Sequence, residues 1–156
     1  MPSSVRRVAD ALDAAGATGE VRELDESTRT AAEAAAALGV PVGAIVKSLV
    51  FAADGEPVLV LASGDHQVDP KLVAAALGAG EVTRAPADLV RDATGFAIGG
   101  VPPVGHAQAL RTVVDTHLAT YDVLWAAAGT PRAVFPTTYD ELVRISGGVA
   151  VDVAAR

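Results

Sequence analysis

Ile45-Val46-Lys47-Ser48-Leu49-Val50-Phe51 and Val58-Leu59-Val60-Leu61-Ala62, joined through Ala53-Asp54-Gly55-Glu56, decide the fold. Both runs are short, apolar and rich in β-branched residues, so each reads as a buried strand. The Asp-Gly pair supplies the positive φ angles of a tight turn, which makes the unit a β-hairpin. Lys47 stands out inside it. The chain has 12 basic residues, of which only Lys47 and Lys71 are lysines. Two roles fit a lysine at this place. It is either a solvent-facing charge that keeps a sheet edge from aggregating, or a buried ammonium recruited for chemistry or anion binding.

Outward from the hairpin, helices and short strands interleave. Ser4 is the expected cap of a first helix whose Val5, Val8, Leu12 and Ala15 share a face, with Gly16 or Gly19 as its end. Residues 21–24 read as a short strand. Thr30 and Glu33 form a capping box for a helix over 31–38, stopped by Gly39 and Pro41. Asp69 and Pro70 open a helix over 71–77 that Gly78 closes, and 86–94 repeats the pattern before Gly95. Further strands are expected at 96–98, 112–114, 122–127, 133–135 and 149–153. Thr138 and Glu141 cap a last helix over 139–145. Hairpin-short links and clustered strands favour an α+β class: a mixed, mostly antiparallel sheet, curled toward a barrel, with helices packed outside.

Residues 1–156 are expected to form one domain, because no linker composition divides them. Aromatic residues are only 4%, so the core must be built from Ala, Val and Leu. The formal net charge of −7 opposes nonspecific nucleic-acid binding, in which phosphate neutralisation supplies most of the affinity. Any nucleic acid must be gripped locally. No apolar run approaches the roughly 20 residues that span a bilayer. The chain also does not open on a basic segment followed by a hydrophobic one, so no membrane association and a cytoplasmic location are expected. The absence of cysteine excludes disulfides, thiolate metal sites and a cysteine nucleophile.

The chain has no glycine-rich phosphate loop, G-x-S-x-G elbow or H-E-x-x-H helix. His66, His106 and His117 are scattered and lack cysteine companions, so no metal or other cofactor is expected. Three segments remain that a sheet could bring together. One is the strand with Lys47 and Ser48. The second is Ser63-Gly64-Asp65-His66-Gln67-Val68-Asp69, at a strand end just before a helix N-terminus, where free backbone donors favour anions and polarised carbonyls. The third is Gly99-Gly100-Val101-Pro102-Pro103-Val104-Gly105-His106, a loop whose glycines let backbone N–H groups approach a ligand.

Over nearly its whole length the chain resembles the YbaK family of aminoacyl-tRNA deacylases, related to the editing domain inserted in bacterial prolyl-tRNA synthetases. The lysine strand, the stretch Gly64-Asp65-His66-Gln67-Val68-Asp69, the segment Thr94-Gly95-Phe96-Ala97-Ile98-Gly99-Gly100 and the loop ending Pro103-Val104-Gly105-His106 carry the resemblance. It departs at Val68, Asp69 and Ser48. The resemblance implies an editing-domain fold and ester hydrolysis of a mischarged tRNA, such as tRNA(Pro) carrying alanine, cysteine or serine, in the service of translation fidelity. It implies the tRNA acceptor end and prolyl-tRNA synthetase as partners. By the same resemblance Lys47, His66, Gly99 and Gly100 are catalytic candidates. Ser48, Ser63, Asp65, Val101, Pro102, Pro103, Gly105 and His106 are substrate-binding candidates, and Arg84, Arg91 and Arg132 are candidate contacts to the tRNA backbone. Two other readings fit these residues: a non-catalytic module binding an aminoacyl or nucleotide ligand, and a hydrolase of another small ester or amide.

Overall fold

The computed structural model describes residues 2–155. Helix α1 (Ser3–Ala14) precedes β1 (Arg22–Glu23), α2 (Ala31–Leu38), β2 (Ile45–Ala53), β3 (Glu56–Ser63), α3 (Pro70–Leu77), β4 (Val82–Arg84) and α4 (Ala87–Thr94). There follow β5 (Arg111–Asp115), β6 (Leu124–Ala127), β7 (Ala133–Thr137), α5 (Tyr139–Ser146) and β8 (Val149–Val151). One eight-stranded sheet runs β1-β7-β6-β2-β3-β5-β8, with β4 paired to β2 off this path. β2–β6, β3–β5 and β5–β8 are parallel, and the other pairings antiparallel. The sheet is therefore mixed. It curls, but β1 and β8 lie at opposite ends of the path and do not pair, so it does not close into a barrel.

The β2–β3 hairpin turns through Asp54 and Gly55, both at positive φ (49° and 86°), as a two-residue primed turn requires. The Asp54 carboxylate accepts the N–H groups of Gly80 and Glu81 at 3.0 and 2.9 Å, which ties the turn to the start of β4. Alternation along the hairpin divides the core. Val46, Val50, Leu59 and Leu61 face α1, α4 and α5 in the larger cluster, whereas Phe51, Ala53, Val58, Val60 and Ala62 face Val73 of α3 in the smaller. Helix covers both faces of β3, and so nearly all of that strand is apolar.

Three local expectations are corrected. Ser4 lies inside α1, whose cap position is Pro2; proline fits there because its missing N–H would be an orphan in the first turn anyway. Residues 96–98 are not a strand. Phe96 drops into the core, and the Thr94 Oγ1 accepts its N–H at 3.0 Å in place of a strand partner while donating to the Val90 carbonyl at 2.7 Å. Strand β4 was not expected; its three residues depend on tertiary pairing with β2.

The fold leaves one edge open where it matters. β2 meets β6 only through Ile45 and Val46, and meets β4 only through Phe51, Ala52 and Ala53. The Ala85 N–H continues the β4 side by donating to the Val50 carbonyl at 3.1 Å, so among the described residues that edge lacks a partner along 47–49. The sheet therefore splits beside Lys47 and Ser48.

Candidate active site

The split opens on a cavity of about 340 Å³. Lys47, Ser48 and Leu49 supply its floor along β2, Ala126 and Ala127 flank it from β6, and Thr28, Arg29 and Thr30 rim it before α2. Ile98, Gly99 and Val101 form the opposite lip, and Arg84 stands at the mouth. Three cations thus border one cavity in a protein of net charge −7. None of them has an ion-pair partner among the described residues. Such a rim attracts an anion.

Lys47 is half-buried and donates its ammonium to the His66 carbonyl oxygen. Burial pushes this ammonium below the usual lysine range, the neighbouring Arg84 guanidinium adds to the shift, and Asp115 opposes it. A cation made costly in this way gains from any ligand oxygen that reaches it.

The carbonyl that holds Lys47 is fixed from behind. Asp115, fully buried at the end of β5, accepts the Ser63 N–H at 3.0 Å, the His66 Nδ1–H at 2.9 Å and the His117 N–H at 3.0 Å. The His66 ring stacks on His117 (centroids 4.2 Å, interplanar angle 28°), and His117 meets the edge of Tyr121. The Tyr121 hydroxyl lies over Gly43, where a side chain would collide with it. His117 Nε2 is buried, lies 3.5 Å from the Asp65 carboxylate and makes no aligned hydrogen bond.

The lip depends on glycine at two places. Gly99 has φ +94°, open to glycine at little cost. A Cβ on Gly100 would lie 2.9 Å from the Thr130 Cα and 3.0 Å from the Gly129 carbonyl carbon, so two backbones pack directly. The Gly100 N–H is already given to the Ala97 carbonyl at 3.0 Å, while those of Gly99 and Val101 make no hydrogen bond among the described residues. Both unpaired donors belong to residues that line the cavity.

The expected residues thus divide. Lys47, Ser48, Gly99 and Val101 converge on the cavity with Arg84. His66 contributes its carbonyl to Lys47, and its ring turns to Asp115. Ser63 is fully buried, its Oγ donating to the Gly43 carbonyl at 2.7 Å, and Asp65 is exposed beside His117. Gly100, Pro102, Pro103, Gly105 and His106 do not line the cavity. His106 Nε2 donates to the Pro102 carbonyl at 2.7 Å, and burial holds the imidazole below its ordinary pKa, so it staples the loop as a neutral ring. Arg91 and Arg132 do not border the cavity. Sequence reasoning missed Asp115 and two residues of the cavity lining, Arg29 and Trp125. For Asp115 a signal existed: a carboxylate directly ending an apolar strand and capping the turn at 116–120.

The aminoacyl-tRNA editing domain model matches residues 25–145. Uncharacterized protein YwhH of Bacillus subtilis (strain 168) is 31% identical over 128 residues, 81% of this chain and 81% of that protein. A proline–tRNA ligase of Nitratidesulfovibrio vulgaris (strain Hildenborough) is 39% identical over 89 residues, 57% of this chain but only 16% of the ligase. A solved structure described as "a putative trans-editing enzyme for prolyl tRNA synthetase" superposes with a TM-score of 0.94 at 44% identity, covering 100% of this chain and 99% of the other. No helix among the described residues is long and apolar enough to cross a membrane.

Proposed function

Because the chain belongs to the aminoacyl-tRNA editing domain family and is an aminoacyl-tRNA deacylase, we propose that it acts in trans on tRNA(Pro) carrying a small wrong amino acid: alanine, cysteine or serine. The observation that carries this reading is the split in the sheet. Beside it, one cavity is bordered by the half-buried Lys47 ammonium, by Arg29 and Arg84, by Gly99 and Val101 with their unpaired N–H groups, and by mostly apolar side chains that range from alanine to Trp125.

An aminoacyl ester is already activated, so the protein must hold the acceptor end, admit a water and stabilise the developing oxyanion. The Gly99 and Val101 N–H groups meet the ester carbonyl oxygen. Lys47, with Arg84 and Arg29 beside it, anchors the ribose–phosphate end of the acceptor. Water adds to the carbonyl carbon, the tetrahedral intermediate collapses, the ester C–O bond breaks, and the proton lost by water ends on the departing ribose oxygen. His66 acts through its carbonyl as a positioning residue. No covalent nucleophile is needed. Selection among aminoacyl groups would come from contacts with the cavity wall, where one methylene is worth roughly 1–3 kcal/mol. The net negative charge leaves the tRNA body weakly held, so prolyl-tRNA synthetase is the proposed partner and the cytoplasm the proposed location.

The test is to charge tRNA(Pro) separately with alanine, cysteine, serine and proline and to follow ester loss with and without synthetase. At least one mischarged species is expected to lose its amino acid about 10-fold or more faster than Pro-tRNA, in line with discrimination by pocket contacts. Equal rates for all four, no faster than without protein, would remove the reading. Binding without turnover would favour the non-catalytic module instead.

A further inference from the structure

One hydroxyl in the cavity wall has no partner. Ser48 lines the cavity on the strand face it shares with Val46, and its Oγ is buried without a hydrogen bond to any described residue. Val46, Val101, Ala126 and Ala133 line the same cavity and are buried and apolar. The great majority of buried side-chain polar atoms in folded proteins are hydrogen-bonded, so an orphan hydroxyl at a ligand cavity marks a group whose partner comes with the ligand. Solvent does not reach Oγ in the free protein, but a serine χ1 has three staggered wells, and exchange among them re-aims the hydroxyl without moving the backbone.

The rim and the wall differ in chemistry. Lys47, Arg84 and Arg29 at the rim suit the anionic acceptor end, which leaves the apolar wall for the amino-acid side chain. Resting on the deacylase reading above, we propose that Ser48 determines specificity by exchanging a hydrogen bond with the side-chain hydroxyl of a seryl group, so that seryl esters are taken in preference to alanyl esters. An alanyl methyl would fill the same space and leave Ser48 Oγ unpaired. A seryl hydroxyl placed there without Ser48 would itself be buried against hydrocarbon. Sites built to pair a hydroxyl discriminate against the analogue lacking it more strongly than apolar pockets discriminate by size. A thiol is a weaker partner in both directions, which ranks cysteine below serine.

The experiment compares one tRNA charged with serine or with alanine, using the wild-type protein and Ser48→Ala, with melting temperatures as a control for folding. The wild type is expected to favour the seryl ester about 10-fold or more in kcat/KM, and Ser48→Ala to bring that ratio near one through loss on the seryl arm. A wild type that favours alanine would overturn the proposal. So would a variant in which both esters slow equally, since Oγ would then be holding a group common to both, such as the α-amine. Calorimetry with amide-linked seryl and alanyl adenosines separates the two readings. If neither ester is hydrolysed but the seryl amide still binds tighter in a Ser48-dependent way, the deacylase reading fails and the role of Ser48 stands. If hydrolysis is observed and the amides bind alike, the reverse holds.

Discussion

Asp115→Ala is expected to lower the unfolding free energy by about 3–5 kcal/mol, the range seen when one partner of a buried charged network is removed. The carboxylate is fully buried and satisfies three donors, the main-chain N–H of Ser63 at the end of β3, the His66 ring in the loop after it, and the main-chain N–H of His117 in the turn at 116–120. Truncation leaves two main-chain N–H groups and a ring N–H without an acceptor, and an unsatisfied buried group costs about 1–3 kcal/mol. Asp115→Asn keeps one acceptor oxygen but turns an NH₂ toward a donor, so it is expected to fall between wild type and alanine. Because the network fixes the carbonyl that holds Lys47, deacylation should fall even at temperatures where the variants remain folded. Urea unfolding read beside single-turnover rates is the check, and a loss under about 1 kcal/mol with unchanged rates would show the network to be ornamental.

Lys47→Met should separate activity from stability in the opposite sense. Losing the cation that anchors the acceptor end is expected to slow deacylation about 10²–10³-fold, the scale of deleting one preorganised electrostatic group. Stability should stay level or rise. The ammonium is held below its ordinary value of 10.5, chiefly by burial. Between the folded and unfolded pKa values the unfolded chain binds more protons, so wild-type stability rises with pH through that alkaline window. Methionine abolishes that rise by removing the group that titrates. For the same reason, any step that needs the ammonium should fail in the wild type at a pH below 10.5. A methionine variant that melts well below wild type, or that deacylates at the wild-type rate, would be inconsistent with this role.

The parts of the fold that were legible are those specified by near neighbours. Asp54-Gly55 requires positive φ at both positions, Thr30 with Glu33 closes a capping box, and Gly39, Gly78 and Gly95 end helices in the left-handed region. These signals act within a few residues. Strand β4 is legible only with β2 beside it, and Phe96 sits in an apolar run that reads as strand until the core claims its ring. The site shows the same division. Lys47 announced itself as an ammonium in an apolar strand, and the glycine-rich lip as a loop. Asp115, 49 residues beyond His66, is joined to it by folding alone. Pro102 and Pro103 lie close in sequence to Gly99 and Val101, but the loop buries them away from the cavity lining.

The most direct test is a crystal structure with an amide-linked, non-hydrolysable aminoacyl adenosine. The aminoacyl carbonyl is predicted against the Gly99 and Val101 N–H groups, with its side chain in the gap beside Val46 and Ser48 and its ribose within reach of the Lys47 ammonium. An analogue seated over His66 and His117, or anywhere away from the unpaired edge of β2, would contradict the assignment of that gap as the editing site.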